Sequence, residues 1–236
     1  MNALQKWGGI AALYQAAAYV VGMVGFLLVV DVAGVEDPVE QVALLVDNQA
    51  FLSVLHLIVY VVWGGFMVVL SLALYDRLKA GSPAIAQVAT AIGVIWAGLV
   101  IASGTLFTVG VARVVDLFGD DPAQAVTVWL AIDSVFEGLS GIEIVGGTWM
   151  LLVSWAALRS GRLPKALNYL GAVIGVAGLL TLVPAFTEAL TAVFGLGQIV
   201  WFIGAGIVLL RGGRSAAALS PMTSSAGDRS RGPSPT

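Results

Sequence analysis

Residues 80–112 read AGSPAIAQVATAIGVIWAGLVIASGTLFTVGVA, a run bounded by Lys79 and Arg113 with no charged side chain inside it. About 20 apolar residues carry an α-helix across the hydrocarbon core of a bilayer, so this stretch is long enough to cross. Working outward, further uncharged runs lie between Lys6 and Asp31, Lys165 and Glu188, and Glu188 and Arg211. Between Asp47 and Asp76 the only ionisable side chain is His56, and a noisier apolar segment from Phe136 to Leu158 makes a sixth candidate. The 236 residues are 59% hydrophobic and 11% charged, with a mean hydropathy of +0.97. A soluble domain carries about 25% charged residues, so a water-facing surface cannot be built from this chain. Backbone groups in hydrocarbon must pair within their own segment. The expected fold is an all-α, polytopic membrane helical bundle with six transmembrane helices over residues 1–212.

The distribution of charge orients that bundle. If the helices alternate in direction, Lys6, Arg77, Lys79, Arg159, Arg162, Lys165, Arg211, Arg214, Arg229 and Arg231 fall on one side, and Arg113 alone on the other. Positive charge in short loops marks the cytoplasmic face, which places both termini inside. The opposite side collects Asp31, Glu36, Asp37, Glu40, Asp47, Asp116, Asp120, Asp121 and Glu188. The expected location is the bacterial inner (plasma) membrane. Residues 1–30 are read as a retained first helix, since their uncharged run exceeds the roughly 7–15-residue core of a signal peptide. The Ser-, Pro- and Gly-rich stretch over 213–236 has almost no large apolar residue to offset its ordering entropy, and is expected to be a disordered cytoplasmic tail.

The chain also echoes itself. "LKAGSP" (78–83), "LRSGRLP" (158–164) and "LRGGR" (210–214) follow the second, fourth and sixth spans. "EDPVEQV" (36–42) is matched by "DDPAQAV" (120–126), where Asp37 and Asp121 are expected N-caps with Pro38 and Pro122 at the first helical position. Three helical hairpins, the first two carrying an extra outer helical piece, account for these echoes. Recurrence of Ala, Gly and Val by composition alone accounts for them too.

Within the fourth segment, "DSVFEGLSGIEIVGG" (133–147) brings Asp133, Glu137 and Glu143 to the mouth of an apolar helix. Counting back from Arg159 at about 1.5 Å per residue, Glu143 stands about 24 Å above the inner boundary. A core about 30 Å thick then places it just inside the outer edge, with Glu137 near the interface and Asp133 beyond it. On a continuous helix Glu143 lies about 240° around from Glu137, because each residue turns about 100°, so the two point apart. An acid within a membrane segment is a candidate functional group; the bland reading is a neutral or hydrogen-bonded group gluing helices together. His56, 21 residues before Arg77, and Gln198, 13 residues before Arg211, fall at comparable depth. Together His56, Glu137, Glu143 and Gln198 outline an acidic, outward-opening vestibule. Gly171 and Gly175 fit close helix packing. Trp7 and Trp155 fall near the inner interface and Trp129 beyond the outer one, whereas Trp63, Trp96, Trp149 and Trp201 read as packing inside spans.

Several chemistries are disfavoured. Cysteine is absent and there is one histidine, so a zinc site with the usual three His or Cys ligands cannot form, and no metal or other cofactor is expected. His56 has no nucleophile elbow to serve, and no phosphate-binding glycine motif occurs in a strand–helix context. None of Lys6, Lys79 and Lys165 lies deep in a span, where Schiff-base chemistry would need it. The basic residues form the ordinary inner-loop set, which gives no support for nucleic acid as a partner. An enzyme is the less favoured class.

"WGGIAALYQAAAYVVG" (7–22), "LALYDRLKAGSPAIAQVATAIGVI" (72–95), "LRSGRLPKALNYLGAVIGVAGLL" (158–180) and "GLGQIVWFIGAGIVLLR" (195–211) resemble the bacterial six-helix membrane proteins grouped as domain of unknown function 4386, over most of residues 5–211. The resemblance implies fold and membrane location, and supplies no substrate, cofactor or catalytic residue. Three functional readings stay open. In the first, the vestibule takes a small cationic or amphiphilic molecule or lipid, with Glu143 and Glu137 as its anionic contacts. The second is a structural or regulatory subunit, oligomerising through small-residue faces such as Gly171 and Gly175. In the third, a lipid-modifying enzyme pairs Glu143 with His56. A pocket reaching Glu143 favours the first reading, and a filled bundle favours the second.

Overall fold

A computed structural model describes residues 3–29, 35, 37–141 and 143–217, and every regular element among them is helical. The elements in order are α1 (Ala3–Val29), α2 (Pro38–Asp47), α3 (Gln49–His56), α4 (Trp63–Leu78), α5 (Pro83–Phe118), α6 (Pro122–Phe136), α7 (Ile144–Ser160), α8 (Lys165–Leu180) and α9 (Thr187–Ala217). A π-helical turn over Leu57–Val62 joins α3 to α4 without a break, and a second over Glu137–Gly141 follows α6. Asp31 and Glu36, two of the acids expected on the outer side, lie outside the described residues. So do residues 218–236 of the expected tail, while α9 continues to Ala217, past the expected boundary at 212.

The caps form where the sequence places them. The Asp37 side chain accepts from the Val39 N–H and the Asp121 side chain from the Gln124 N–H, each just ahead of a proline that has no N–H to leave unpaired. Ser160 ends α7 at Gly161, whose φ of +64° is the left-handed conformation that glycine adopts without steric cost. At that end of the molecule the Arg77 side chain donates through Nε to the Arg162 carbonyl, tying the α4–α5 and α7–α8 connections together.

Six helices close into a ring in chain order. α1 packs on α4, α4 on α5, α5 on α7, α7 on α8 and α8 on α9, and α9 returns to α1. Five segments are long and apolar enough to cross a membrane: Ala3–Phe26, Gln49–Leu78, Pro83–Phe118, Pro122–Ser160 and Pro184–Arg211. The sixth expected span, α8, is apolar but has 16 residues, about 24 Å at 1.5 Å per residue. This is a multi-pass membrane protein. At the same rise α5, with 36 residues, is about 54 Å long and outruns the hydrocarbon core. Its far end is the post around which α2, α3 and α6 gather, through Val42, Leu45, Leu52, Phe107, Val111, Val114 and Ala125.

The middle of the ring is filled by aromatic side chains in a closed circuit. Trp63 meets Trp96 at 5.0 Å between ring centroids, Trp96 meets Trp149 at 5.7 Å, and Trp149 meets Trp201 at 5.5 Å. Phe202 completes it, 5.7 Å from Trp201 and 6.2 Å from Trp63. Edge-on and tilted pairs at such spacings are the favourable arrangement for ring quadrupoles. Each helix contributing to the circuit is held to the others at one level by these ring contacts.

Candidate functional site: a carboxylate among aromatic rings

The fourth span is not the continuous helix assumed from its composition. After Phe136 the backbone widens into the π turn at Glu137–Gly141, and regular α-helix resumes only at Ile144. The reckoning that turned Glu143 240° away from Glu137 assumed an unbroken 3.6-residue period, and the interruption removes its basis. Glu143 instead takes the cap position of α7, with φ −85° and ψ 29°. Its N–H donates to Oγ1 of Thr181 at 3.2 Å, and its carbonyl accepts from the Gly147 N–H at 2.7 Å. Thr181 is itself buried, and its hydroxyl donates to the Gly178 carbonyl at 2.7 Å. The head of α7 is thereby fixed to the end of α8.

Glycine permits that approach. A Cβ on Gly147 would stand 2.8 Å from the Gly175 carbonyl oxygen, and one on Gly175 would stand 2.9 Å from the Gly147 carbonyl oxygen. Gly171, one turn before Gly175, leaves room for Ser154 and the Trp201 ring. Both glycines are buried inside the chain, so the oligomerising face pictured for them in the structural-subunit reading is already occupied by α7 and α9.

So held, Glu143 lines a cavity of about 100 Å³. The other walls are Tyr19 of α1, Val59 and Tyr60 of the first π turn, Trp63 of α4, and Trp96 and Val100 of α5. The half-buried carboxylate faces a wall of four aromatic rings, and among the described residues no cation and no hydrogen-bond donor pairs with it. Glu137 and the Tyr19 hydroxyl are its electrostatic neighbours. A carboxylate taken from water without a partner is costly, and an ionisable group at such a place in a membrane segment makes a candidate functional site.

A family model described as Domain of unknown function (DUF4386) matches residues 10–211, which include every residue of the aromatic circuit and of the cavity. The chain belongs to that family. No curated protein and no solved structure matches it.

The other expected vestibule residues of this DUF4386 chain lie elsewhere. His56 is buried between rings rather than open to the cavity. Phe107 stacks on it at 3.4 Å with an interplanar angle of 5°, and Tyr60 at 5.1 Å and 6°. Its Nδ1 donates to the Leu52 carbonyl at 2.8 Å. No hydrogen bond joins His56 to Glu143, so the acid–base pair of the enzyme reading does not assemble among the described residues. Its contribution is to fix the ring of Tyr60, which does reach the cavity. Gln198 is fully buried in α9, below Phe194, and neither end of its amide finds a partner among the described residues. Glu137 is exposed, beside Asp133 and Glu143 in electrostatic terms.

Sequence reasoning missed Tyr19, Tyr60 and Thr181, and favoured packing over a ligand cage for Trp63 and Trp96. Those two tryptophans do pack, and they also present a face to the cavity. The signal for Tyr60 was in view: it follows His56 by four residues on the same helix face. Tyr60 lies within the π turn, a distortion frequent at functional sites. The Tyr14 hydroxyl satisfies that turn by donating to the Ile58 carbonyl at 2.8 Å.

Proposed function

We propose that this chain is a six-pass protein of the bacterial plasma membrane, built as three spanning hairpins with both termini in the cytoplasm, that binds a small organic cation at Glu143. The observation that carries the reading is the joining of one unpaired carboxylate to four aromatic faces, Tyr19, Tyr60, Trp63 and Trp96, around one cavity. A carboxylate supplies charge to a cation of any shape. Aromatic faces add about 0.5–2 kcal/mol each through the ring quadrupole, and they favour poorly hydrated, alkylated ammonium groups, whose recognition by aromatic cages follows this pattern. Glu137, nearby and exposed, adds negative potential at the approach. The aromatic circuit formed by Trp149, Trp201 and Phe202 with the two cavity tryptophans supports binding over conduction, because the ring interior there is filled.

The test is calorimetric titration of tetramethylammonium into the purified protein in lipid nanodiscs, wild type beside Glu143→Gln and Trp96→Leu. Saturable binding by the wild type, absent in Glu143→Gln and weakened in Trp96→Leu, supports the assignment. Equal heats from the wild type and Glu143→Gln overturn it, and the structural-subunit reading then takes its place.

A further inference from the structure

A second concavity, of about 370 Å³, opens beside the first and shares Tyr19, Val59 and Tyr60 with it. It is a groove between α1 and α9, floored by Gly22 and Gly195 and walled by Met23, Phe26, Leu196 and Ile199. The two helices diverge to make it. Toward the other end of the pair a Cβ on Gly9 would stand 3.1 Å from the Gly206 carbonyl oxygen. At Gly195 the nearest atom to such a Cβ is Cε1 of Tyr19, at 4.0 Å. The groove carries no charged side chain, and both of its helices are membrane-crossing segments whose neighbouring side chains, Val20, Val21, Val193 and Val200, are exposed. In a bilayer those exposed faces meet acyl chains.

We infer that the ligand of the Glu143 cavity is a single-chain cationic amphiphile that enters sideways from the bilayer, its ammonium head against Glu143 and its alkyl chain along the groove between α1 and α9. The inference rests on the cation-binding reading and adds the chemical class and route of the ligand. Three features argue for an alkyl chain as the occupant. The groove adjoins the cavity across the shared residues Tyr19, Val59 and Tyr60, its other lining residues are apolar, and the cavity it adjoins holds a carboxyl group with no cation or hydrogen-bond donor paired to it among the described residues. A soluble cation would have no use for the groove; a neutral lipid would have none for the carboxylate.

The route is tested with a dodecyltrimethylammonium analogue carrying a diazirine at mid-chain, photolysed with the wild-type protein in nanodiscs and mapped by peptide mass spectrometry. Adducts concentrated in residues 19–26 and 192–199, displaced by excess tetramethylammonium and lost in Gly195→Leu, which fills the groove, are the expected result. Adducts spread over all lipid-facing helices and indifferent to tetramethylammonium overturn the route. If tetramethylammonium binds the wild type while the adducts stay scattered, the cation site stands and the lateral route fails. If it does not bind at all, both fail.

Discussion

The backbone N–H of Glu143 donates to Oγ1 of Thr181, 38 residues further along the chain, at 3.2 Å. That bond joins the interrupted fourth segment to the end of α8 and decides where the carboxylate stands. Thr181→Val keeps the shape and removes the acceptor, which leaves a buried N–H without its partner and costs about 1–3 kcal/mol. Thr181→Ser restores the acceptor and is expected to be near neutral. Thermal unfolding in detergent measures both, and equal stabilities for Val and Ser would show that the bond does not hold α7 in place.

Gly178→Ala puts a Cβ 2.8 Å from the Phe194 ring and 2.9 Å from the Glu143 carbonyl oxygen. Overpacking of this kind costs about 1–3 kcal/mol and pushes Glu143 off its seat, so tetramethylammonium affinity falls together with stability. Gly65→Ala is the matched control. Nothing lies within 4 Å of its added Cβ, and the gain in helix propensity stabilises by up to about 1 kcal/mol.

His56→Phe separates packing from chemistry. Phenylalanine fills the slot between Phe107 and Tyr60, and a shape-conserving exchange of this kind costs less than about 1.5 kcal/mol. Cation binding is therefore expected to survive in His56→Phe while Glu143→Gln abolishes it. Loss of binding equal to that of Glu143→Gln would place the imidazole in the site after all.

Trp201→Ala opens the aromatic circuit at a fully buried position. Removal of a buried tryptophan costs about 3–5 kcal/mol, and the variant is expected to melt well below the wild type. Trp7→Ala is expected to unfold close to the wild type, because Trp7 is exposed on α1. Similar losses in the two variants would show that the circuit has no special part in closing the ring.

Orientation is open to direct measurement, because the chain contains no cysteine. Ala80→Cys sits in the exposed α4–α5 connection and Gly119→Cys in the exposed turn after α5, where an added Cβ meets nothing within 4 Å. With the termini cytoplasmic, a membrane-impermeant maleimide labels Gly119→Cys in intact cells, and Ala80→Cys only after lysis. The reverse pattern would invert the protein in the membrane.

The sequence by itself determined the class. Uncharged runs of span length force helices, because backbone polar groups have no other partner in hydrocarbon, and that argument needs no tertiary information. Local chemistry was equally legible: Asp37 and Asp121 cap their helices through neighbours two and three residues away, and Gly161 closes α7 through its own φ. The short α8 was less legible, since an apolar run from Lys165 to Glu188 does not reveal that regular helix stops at Leu180. Only the tertiary structure decided the site. A strict helical period turned Glu143 away from Glu137, and that period fails where the π turn at Glu137–Gly141 lets the head of α7 dock on Thr181. Four separate stretches of chain bring Tyr19, Tyr60 with Trp63, Trp96 and Glu143 to one cavity. No spacing rule relates residues on different helices, whose facing is settled by how side chains pack. The same packing closed His56 between Phe107 and Tyr60, although its position in the sequence had placed it at the mouth of the vestibule.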